Sequence, residues 1–417
     1  MARPRVHIAR QQNYACILCG RCCRRFHVRL TEAEVARLQA LDWGSEADGP
    51  RDFAHQLGGH SYFRRRPDGG CVFLDPATGA CRMHARFGFE RKALTCRGYP
   101  HNIASTWTGE VSVVARLDCP AVQRRHGPAL EANRRHIERL VEELGTRGGF
   151  TVRQLEGLSR EAVQQITAAL VGLLTANDGL APGTLAYALF LVAQRLHALG
   201  PSFLNDTDTL AEVMPSVLAG AVHEASSRPR GRVGPLSRLL FREWLAAYCR
   251  RDEEIVAPGL VVRVRRTAAL AAYACGAGSL RAMGLEHPDL PLGRARLFAA
   301  GRGVVASQAP AWECFRQLLV ARLEGPQFFG VAYYGEPFFV GLRALLQSYA
   351  LILAAARLHA VARAAAGIEA EDVQYAVGAI DHCLGRSPLL QWQAWRLVEG
   401  HFSGPRFGRL LQALGWE

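Results

Sequence analysis

The sequence predicts a small, metal-organised α+β domain followed by a larger all-α domain, so the protein is expected to be mostly α overall. Eight of the 12 cysteines lie before residue 120, and periodic apolar segments separated by glycine and proline fill the chain after residue 128. A chain of 417 residues, 49% of them hydrophobic, is long enough for two domains. We therefore predict a cysteine-cluster metal-binding domain at 1–127 and a helical domain at 128–417.

Short elements are predicted between the cysteines of the first domain. Thr31 and Glu34 form a capping box ahead of an apolar run with helical spacing, which indicates the start of a helix. The sequence DPATG at 75–79 has proline and glycine in the positions that a tight turn requires. This turn is expected to bring Cys71 and Cys81 towards each other.

The pattern then changes from a strand to helices. Residues 111–117 are mostly apolar and predict a strand that ends just before Cys119. Beyond it, apolar residues recur with helical periodicity, and glycine and proline separate the segments. The predicted helical segments are 129–144, 159–175, 184–198, 208–222, 236–249, 266–283, 309–323, 338–364, 371–384 and 388–399.

The formal net charge of +13 raises the question of nucleic-acid binding. Residues 1–127 hold 20 Lys+Arg and 11 Asp+Glu, so most of the surplus lies near the cysteines. Nucleic-acid binding favours a basic stripe with interleaved aromatic residues, and the sequence contains little of this. We expect no nucleic-acid partner. A positive field beside thiolates has another use, because it offsets their charge.

We expect a cytoplasmic protein without a membrane span. The basic N-terminal residues lack the apolar core of a secretory signal. The longest apolar stretches, 344–356 and 179–194, fall short of the ~18 continuous apolar residues that a span needs. A cytoplasmic chain keeps its thiols reduced, so grouped cysteines favour metal binding over disulfides.

The densest cysteine cluster is CILCGRCC at 16–23. Its CxxCxxC spacing is typical of a knuckle that wraps one metal atom or one cluster. Nearby arginines, among them Arg21, Arg24, Arg25 and Arg97, could offset part of the thiolate charge. The predicted metal ligands are Cys16, Cys19, Cys22, Cys23, Cys71, Cys81, Cys96 and Cys119.

The residues leave the metal and the number of centres open. Eight thiols could hold two four-thiolate centres, or one centre with spare cysteines. The metal could be an iron–sulfur cluster (4Fe-4S), which allows electron transfer, or zinc, which would staple the fold. The four later cysteines lack ligand spacing and are expected to be small core residues; they are Cys249, Cys275, Cys314 and Cys383.

The cysteine blocks resemble a known family. CILCGRCC matches the signature of the YkgJ-like zinc- or iron-chelating cysteine-cluster proteins, and the resemblance continues through VRLTEAEVARL, GGCVFLD, GACRMHARFG, LTCRGYP and LDCPA over about 14–121. The later blocks, with the Cys-Arg-x-Tyr-Pro ending, are similar to flagellin lysine N-methylases. That resemblance implies S-adenosylmethionine, an iron–sulfur cluster and a lysine-bearing, flagellin-like protein substrate.

A methyl-donor site is not evident elsewhere. The segment ACGAG at 274–278 has the composition of the glycine-rich turn of doubly wound methyltransferases, but no strand-like run precedes it. We interpret it as a turn between helices. S-adenosylmethionine would then bind at the cysteine domain or between the domains, and we predict that Arg97 and Tyr99, beside Cys96, contribute to that site. The alternative is that Arg97 only balances thiolate charge and Tyr99 only packs.

Three functions therefore compete. The protein is a metal-binding cysteine-cluster protein, an iron–sulfur-dependent protein-lysine N-methyltransferase, or a helical interaction module stapled by zinc. The residues leave open whether it is an enzyme.

Overall fold

Two three-stranded sheets lie in the first part of the chain, and helices fill most of the rest. In this computed structural model, the described residues are 4–43, 52–107, 109–145, 149, 151–176, 179–227, 231–250, 260–282, 287–293, 297–298 and 309–415. The predicted fold class, a small mixed region followed by a larger helical one, is confirmed.

The first sheet is antiparallel and has the order β2-β4-β3. Its strands are Arg29–Leu30 (β2), Ala54–Leu57 (β3) and His60–Phe63 (β4). Phe63 points inwards and packs with Phe73 in a small hydrophobic core, which we call the cysteine-region core. This core also contains residues next to the cysteines, so it holds the loops that carry the thiols.

Five short helices lie in the region before residue 127. The capping box predicted at Thr31 and Glu34 is confirmed, because the Glu34 N–H donates to Thr31 Oγ1 over 3.2 Å and the Thr31 N–H donates to Glu34 Oε2 over 2.9 Å. The helices are Arg21–Arg25 (α1), Glu32–Gln39 (α2), Arg82–Phe87 (α3), Leu94–Gly98 (α4) and Pro120–Gln123 (α5).

The second sheet has the order β1-β6-β5. Its strands are Arg5–Ile8 (β1), His101–Ser105 (β5) and Glu110–Ala115 (β6); β1 runs parallel to β6, and β5 runs antiparallel to it. The predicted strand at 111–117 is confirmed by β6, which ends two residues earlier.

The second sheet packs on the helices that follow it. Val113 is fully buried in the same hydrophobic core as those helices, and Ser112 Oγ donates to the Gly325 carbonyl over 2.6 Å. Gln327 Nε2 donates to the Asn102 carbonyl over 2.9 Å. Residues before 127 thus belong to two hydrophobic cores: one lies against the first sheet, and the other is shared by the second sheet and the helices. A domain boundary at 127 stays a prediction.

The helical region has one large core. Its central helix, Phe338–Ala362, is long and apolar enough by length and composition to cross a membrane, but 89% of its apolar window is buried inside the protein. The helices are Arg134–Leu144 (α6), Arg160–Ala176 (α7), Pro182–Leu199 (α8), Pro201–Leu204 (α9), Thr207–Ser226 (α10), Pro235–Tyr248 (α11), Leu260–Ala274 (α12), Glu313–Glu324 (α13), Phe338–Ala362 (α14), Ala370–Cys383 (α15), Gln393–His401 (α16) and Pro405–Leu414 (α17).

The expectation of an all-α second domain needs one correction. Ser279–Leu280 pairs with Leu290–Pro291 as a short antiparallel ladder. The helix predicted over 266–283 ends at Ala274, because Gly276 and Gly278 adopt the left-handed region with φ of 76° and 81°. The segment at 274–278 is therefore a helix-to-strand turn, the reverse of the strand-to-helix turn of doubly wound methyltransferases.

Candidate metal centre

Helix α1 presents two adjacent thiols. Gly20 precedes the helix with φ of +66°, and a Cβ at this position would lie 2.9 Å from Leu74 Cδ1. Glycine therefore allows the chain to turn from the CxxC segment into the helix while touching the neighbouring loop. The Sγ atoms of Cys22 and Cys23 lie 3.9 Å apart.

The loop after β4 brings two more thiols to this helix. The Cys71 N–H donates to the Cys23 carbonyl over 2.8 Å. Within the loop, Leu74 and Cys81 form an isolated β-bridge, and the turn between them closes with a hydrogen bond of 2.9 Å from the Gly79 N–H to the Asp75 carbonyl. The turn thus places Cys71 and Cys81 on one wall, as its residues predicted.

Five of the eight predicted ligands line a single cavity of about 260 Å³. Cys96 lies in helix α4, and Cys81 is the residue directly before α3. The thiols on its wall belong to Cys22, Cys23, Cys71, Cys81 and Cys96. The cavity also contacts Phe26 and Tyr99, so it extends from the thiols towards the second sheet.

The other three predicted ligands lie outside this cavity. Cys16 and Cys19 are exposed, and Cys119 is buried at the start of α5. Tyr14 lies near Cys16, Cys119 and Cys22, and burial, with smaller contributions from these thiols, raises the pKa of its hydroxyl. Cys22, which lines the cavity, thus lies near the same tyrosine as Cys16 and Cys119.

Among the described residues, which include all 12 cysteines, no three His, Cys, Asp or Glu side chains converge closely enough to hold a single metal ion. In a tetrahedral zinc site with Zn–S bonds of about 2.3 Å, the sulfur atoms lie about 3.8 Å apart. The Cys22–Cys23 separation of 3.9 Å meets that spacing. The full set of thiols is arranged around a larger space.

Burial favours the neutral thiol at several of these cysteines. It raises the pKa of Cys71 to about 12 and that of Cys119 to about 12, and it raises the pKa of Cys96 further above the ordinary thiol value. The hydrogen bond with Cys23, together with burial, raises the pKa of Cys22. A metal that binds thiolates must therefore displace protons here.

Four lysine and arginine side chains line the cavity, and the three arginines among them bond to oxygen acceptors of the protein. Arg64 Nε donates to Asp52 Oδ1 over 2.9 Å, and Arg65 Nε donates to the Gly69 carbonyl over 2.8 Å. Arg116 forms an ion pair with Asp118. The fourth is Lys92, which the sequence analysis did not assign to the site; its signal was that it is the only lysine of the chain.

The structure separates the two residues predicted to bind a cofactor. The Arg97 guanidinium pairs with Glu90 over 3.1 Å and with Glu143 over 2.5 Å, and it is not among the residues that line the thiol cavity. Tyr99 lines the cavity, and its hydroxyl donates to Asp118 Oδ1 over 3.1 Å. That both residues hold a cofactor stays a prediction.

A buried polar network joins the cysteine region to the helices. Asp118 is fully buried, and its Oδ2 lies 3.1 Å from His382 Nδ1 and 4.0 Å from Arg25 Nη1. Asp381 accepts a hydrogen bond of 2.7 Å from the Leu117 N–H. The sequence does not indicate the partners of Asp381 and His382, because those partners lie far away in the chain.

The later cysteines lie away from the thiol cavity. Cys249, Cys314 and Cys383 are buried in the helical region, as expected. The expectation was wrong for Cys275, which is exposed because it lies in the turn that ends α12.

One family model matches the cysteine region. Residues 15–119 match CxxCxxCC, described as "Putative zinc- or iron-chelating domain". The predicted resemblance to the YkgJ-like cysteine-cluster family is confirmed over this segment, which is similar to the zinc- or iron-chelating cysteine domains, whereas the resemblance to flagellin lysine N-methylases stays a prediction. No curated protein and no solved structure matches the chain.

Proposed function

We propose that the protein binds an iron–sulfur cluster of the 4Fe-4S type in the thiol cavity. The observation that carries this proposal is that five thiols surround one space of about 260 Å³, although no three described donors are close enough for a single ion. By the same measure of volume, one water molecule needs about 10–15 Å³. The space therefore suits a polynuclear group better than one ion.

The donor chemistry of the cavity fits this group. Cysteine thiolates are the usual ligands of four-iron clusters, and four of the five thiols are enough to hold one. When bound, such a cluster supplies one-electron transfer at a potential set by nearby charge, hydrogen bonds and solvent exposure. The candidate ligands are Cys22, Cys23, Cys71, Cys81 and Cys96.

The protein orients these thiols through its backbone. Gly20 allows α1 to start where it does, and the hydrogen bond from Cys71 to Cys23 joins the two walls of the cavity. The apolar residues Val28, Phe63 and Phe73 form the floor, and they limit the access of water to the thiols. Low water access strengthens the electrostatic interactions inside.

Purification without oxygen, followed by iron, sulfide and zinc analysis, tests the proposal. We expect about four iron and four sulfide ions per chain, with the brown colour of an iron–sulfur protein. Cys96→Ser should lower the iron content, whereas the matched control Cys314→Ser, a buried cysteine of the helical core, should keep it. One or two zinc ions without sulfide would replace this proposal with the zinc staple.

A protein-lysine N-methyltransferase is the second candidate. The observation that favours it is that the cavity continues past the thiols to two aromatic rings, with Arg116 lying 5.2 Å from the Phe26 centroid and 5.4 Å from the Tyr99 centroid. A cation held between rings at the cavity wall could receive the carboxylate of S-adenosylmethionine.

Calorimetric titration tests this second candidate. S-adenosylmethionine is added to the cluster-loaded wild type, to Arg116→Met and to Arg97→Ala. The proposal expects binding to the wild type, weaker binding to Arg116→Met and a smaller loss in Arg97→Ala, because Arg116 lines the cavity and Arg97 does not. Absence of binding to the wild type would remove the methyltransferase and leave the metal-binding protein.

A further inference from the structure

Lys92 is the only lysine among the 50 lysine and arginine residues of the chain. Its backbone is fixed on both sides, because its N–H donates to the Phe89 carbonyl over 3.1 Å and its carbonyl accepts from Arg37 Nη2 over 3.2 Å. It stands four residues before Cys96, at the entrance to α4. The side chain therefore projects from a defined position on the cavity wall.

The ammonium group faces thiols rather than carboxylates. Lys92 lines the cavity that the five thiols share, and its Nζ lies 5.3 Å from the centroid of the Phe89 ring. Within the described part of the chain, it forms no ion pair with an aspartate or a glutamate. Arg64 and Arg116, which line the same cavity, each pair with a carboxylate instead.

A partly buried cation without a carboxylate needs another negative partner, because removal of a charge from water is costly unless it is paired. A centre with four thiolates provides one, since the thiolates outnumber the two positive charges of Zn²⁺, and a four-iron cluster with four thiolates is also negative overall.

We propose that Lys92 is the counter-charge of the thiolate centre. Its ammonium group stabilises the bound metal and favours the reduced, more negative state of the centre. This inference rests on the proposed metal-binding function. Lys92 acts on the metal through the thiols and is a positioning residue rather than a ligand.

The test compares Lys92→Met, which removes the charge, with Lys92→Arg, which keeps it. Arg134→Met is the matched control, since it removes one positive charge from an exposed pair with Glu131, and Arg134 does not line the thiol cavity. Iron and sulfide are measured first, and the midpoint potential of the cluster is then measured by a spectroscopic redox titration.

We expect Lys92→Met to have a lower midpoint potential than the wild type, because loss of a nearby positive charge disfavours the added electron. Lys92→Arg and Arg134→Met should match the wild type. Lys92→Met should also bind the metal about 10-fold or more weakly than the wild type in competition with a chelator, because losing a partner of the ligands usually has an effect of this size. The chelator comparison applies equally if the wild type holds zinc.

A second measurement needs no substitution. Because Lys92 is the only lysine, mass spectrometry after treatment with an amine-acylating reagent reports its reactivity directly. Metal-loaded protein should be acylated at Lys92 more slowly than metal-free protein.

The outcomes separate the two proposals. Full metal content in every variant, with an unmoved potential and unmoved chelator release in Lys92→Met, overturns the role of Lys92 alone. A shift of the midpoint potential in Lys92→Arg as large as that in Lys92→Met also overturns the role of Lys92, because the charge would then not be the cause. Equal rates of Lys92 acylation with and without metal would likewise overturn the role of Lys92. A wild type that binds no metal overturns the proposed function and this inference together.

Discussion

The Cys71 N–H donates a hydrogen bond of 2.8 Å to the Cys23 carbonyl, and this bond joins the loop after β4 to helix α1. Both residues also present their thiols to the same cavity. The position of each thiol therefore depends on the other segment, so metal binding and folding of the cysteine region are expected to be coupled.

The first prediction separates the cysteines by position. Cys22→Ser should lower the metal content and destabilise the cysteine region, because Cys22 lines the cavity and lies near the same tyrosine, Tyr14, as Cys16 and Cys119. Cys19→Ser should have a smaller effect on the metal content, since Cys19 is exposed and lies outside the cavity. Metal analysis of both variants checks this, and equal losses would show that Cys19 belongs to the same centre.

The second prediction concerns alkaline pH. Burial raises the pKa of Cys71 from its model-peptide value of 9.0 to about 12, so the folded state favours the neutral thiol. This contribution to stability is complete below pH 9 and is lost as the pH rises from about 9 to about 12. Metal-free protein should therefore unfold at a lower urea concentration at pH 10.5 than at pH 8.

The comparison with Cys71→Ser isolates this effect, because buried tyrosines such as Tyr349 have raised pKa values that act in the same direction. The fall in the urea midpoint between the two pH values should be smaller in Cys71→Ser than in the wild type. Identical falls would show that the Cys71 thiol is not the titrating group.

Local features of this structure could be predicted from the sequence, because their chemistry lies within a few residues. The capping box at Thr31 and the turn at 75–79 are of this kind, and so are the periodic helices such as α7 and α14. The grouping of the cysteines likewise predicted that thiols lie together, and five of the eight line one cavity; that they bind a metal stays a prediction.

The pairing of distant segments could not be predicted. Strand β1 pairs with β6, and His382 meets Asp118 across 264 residues. No local periodicity encodes either contact. Lys92 stands out in the sequence as the only lysine, but the cavity that it lines could not be predicted, because distant loops form that cavity.

The third prediction uses two glycines with similar backbones. Gly20 and Gly58 have φ of +66° and +58°, so an alanine at either position is strained by about 1 kcal/mol. A Cβ on Gly20 would also lie 2.9 Å from Leu74 Cδ1, whereas a Cβ on Gly58 would meet nothing within 4 Å. Gly20→Ala should therefore lose more stability than Gly58→Ala and should also lose metal. Urea unfolding and metal analysis check this, and equal behaviour of the two variants would contradict it.

The fourth prediction concerns Asp118, the carboxylate between the cysteine region and the helices. Its charge is fully buried, and its partners include Arg116, Arg25 and His382. These partners hold the pKa of Asp118 below its usual range despite burial. Asp118→Asn keeps the shape but leaves buried guanidinium groups without their counter-charge, which typically costs about 3–5 kcal/mol.

Asp68→Asn is the matched control for this substitution. Asp68 is about half exposed and pairs with Arg66 over 2.6 Å, and such surface pairs contribute only about 0–1 kcal/mol. Equilibrium unfolding in urea, followed by circular dichroism, should show a much lower midpoint for Asp118→Asn than for Asp68→Asn. Similar midpoints would mean that the buried network does not hold the cysteine region to the helices. Because Asp118 precedes Cys119 and binds Tyr99, which lines the cavity, we also expect Asp118→Asn to release metal to a chelator faster than Asp68→Asn.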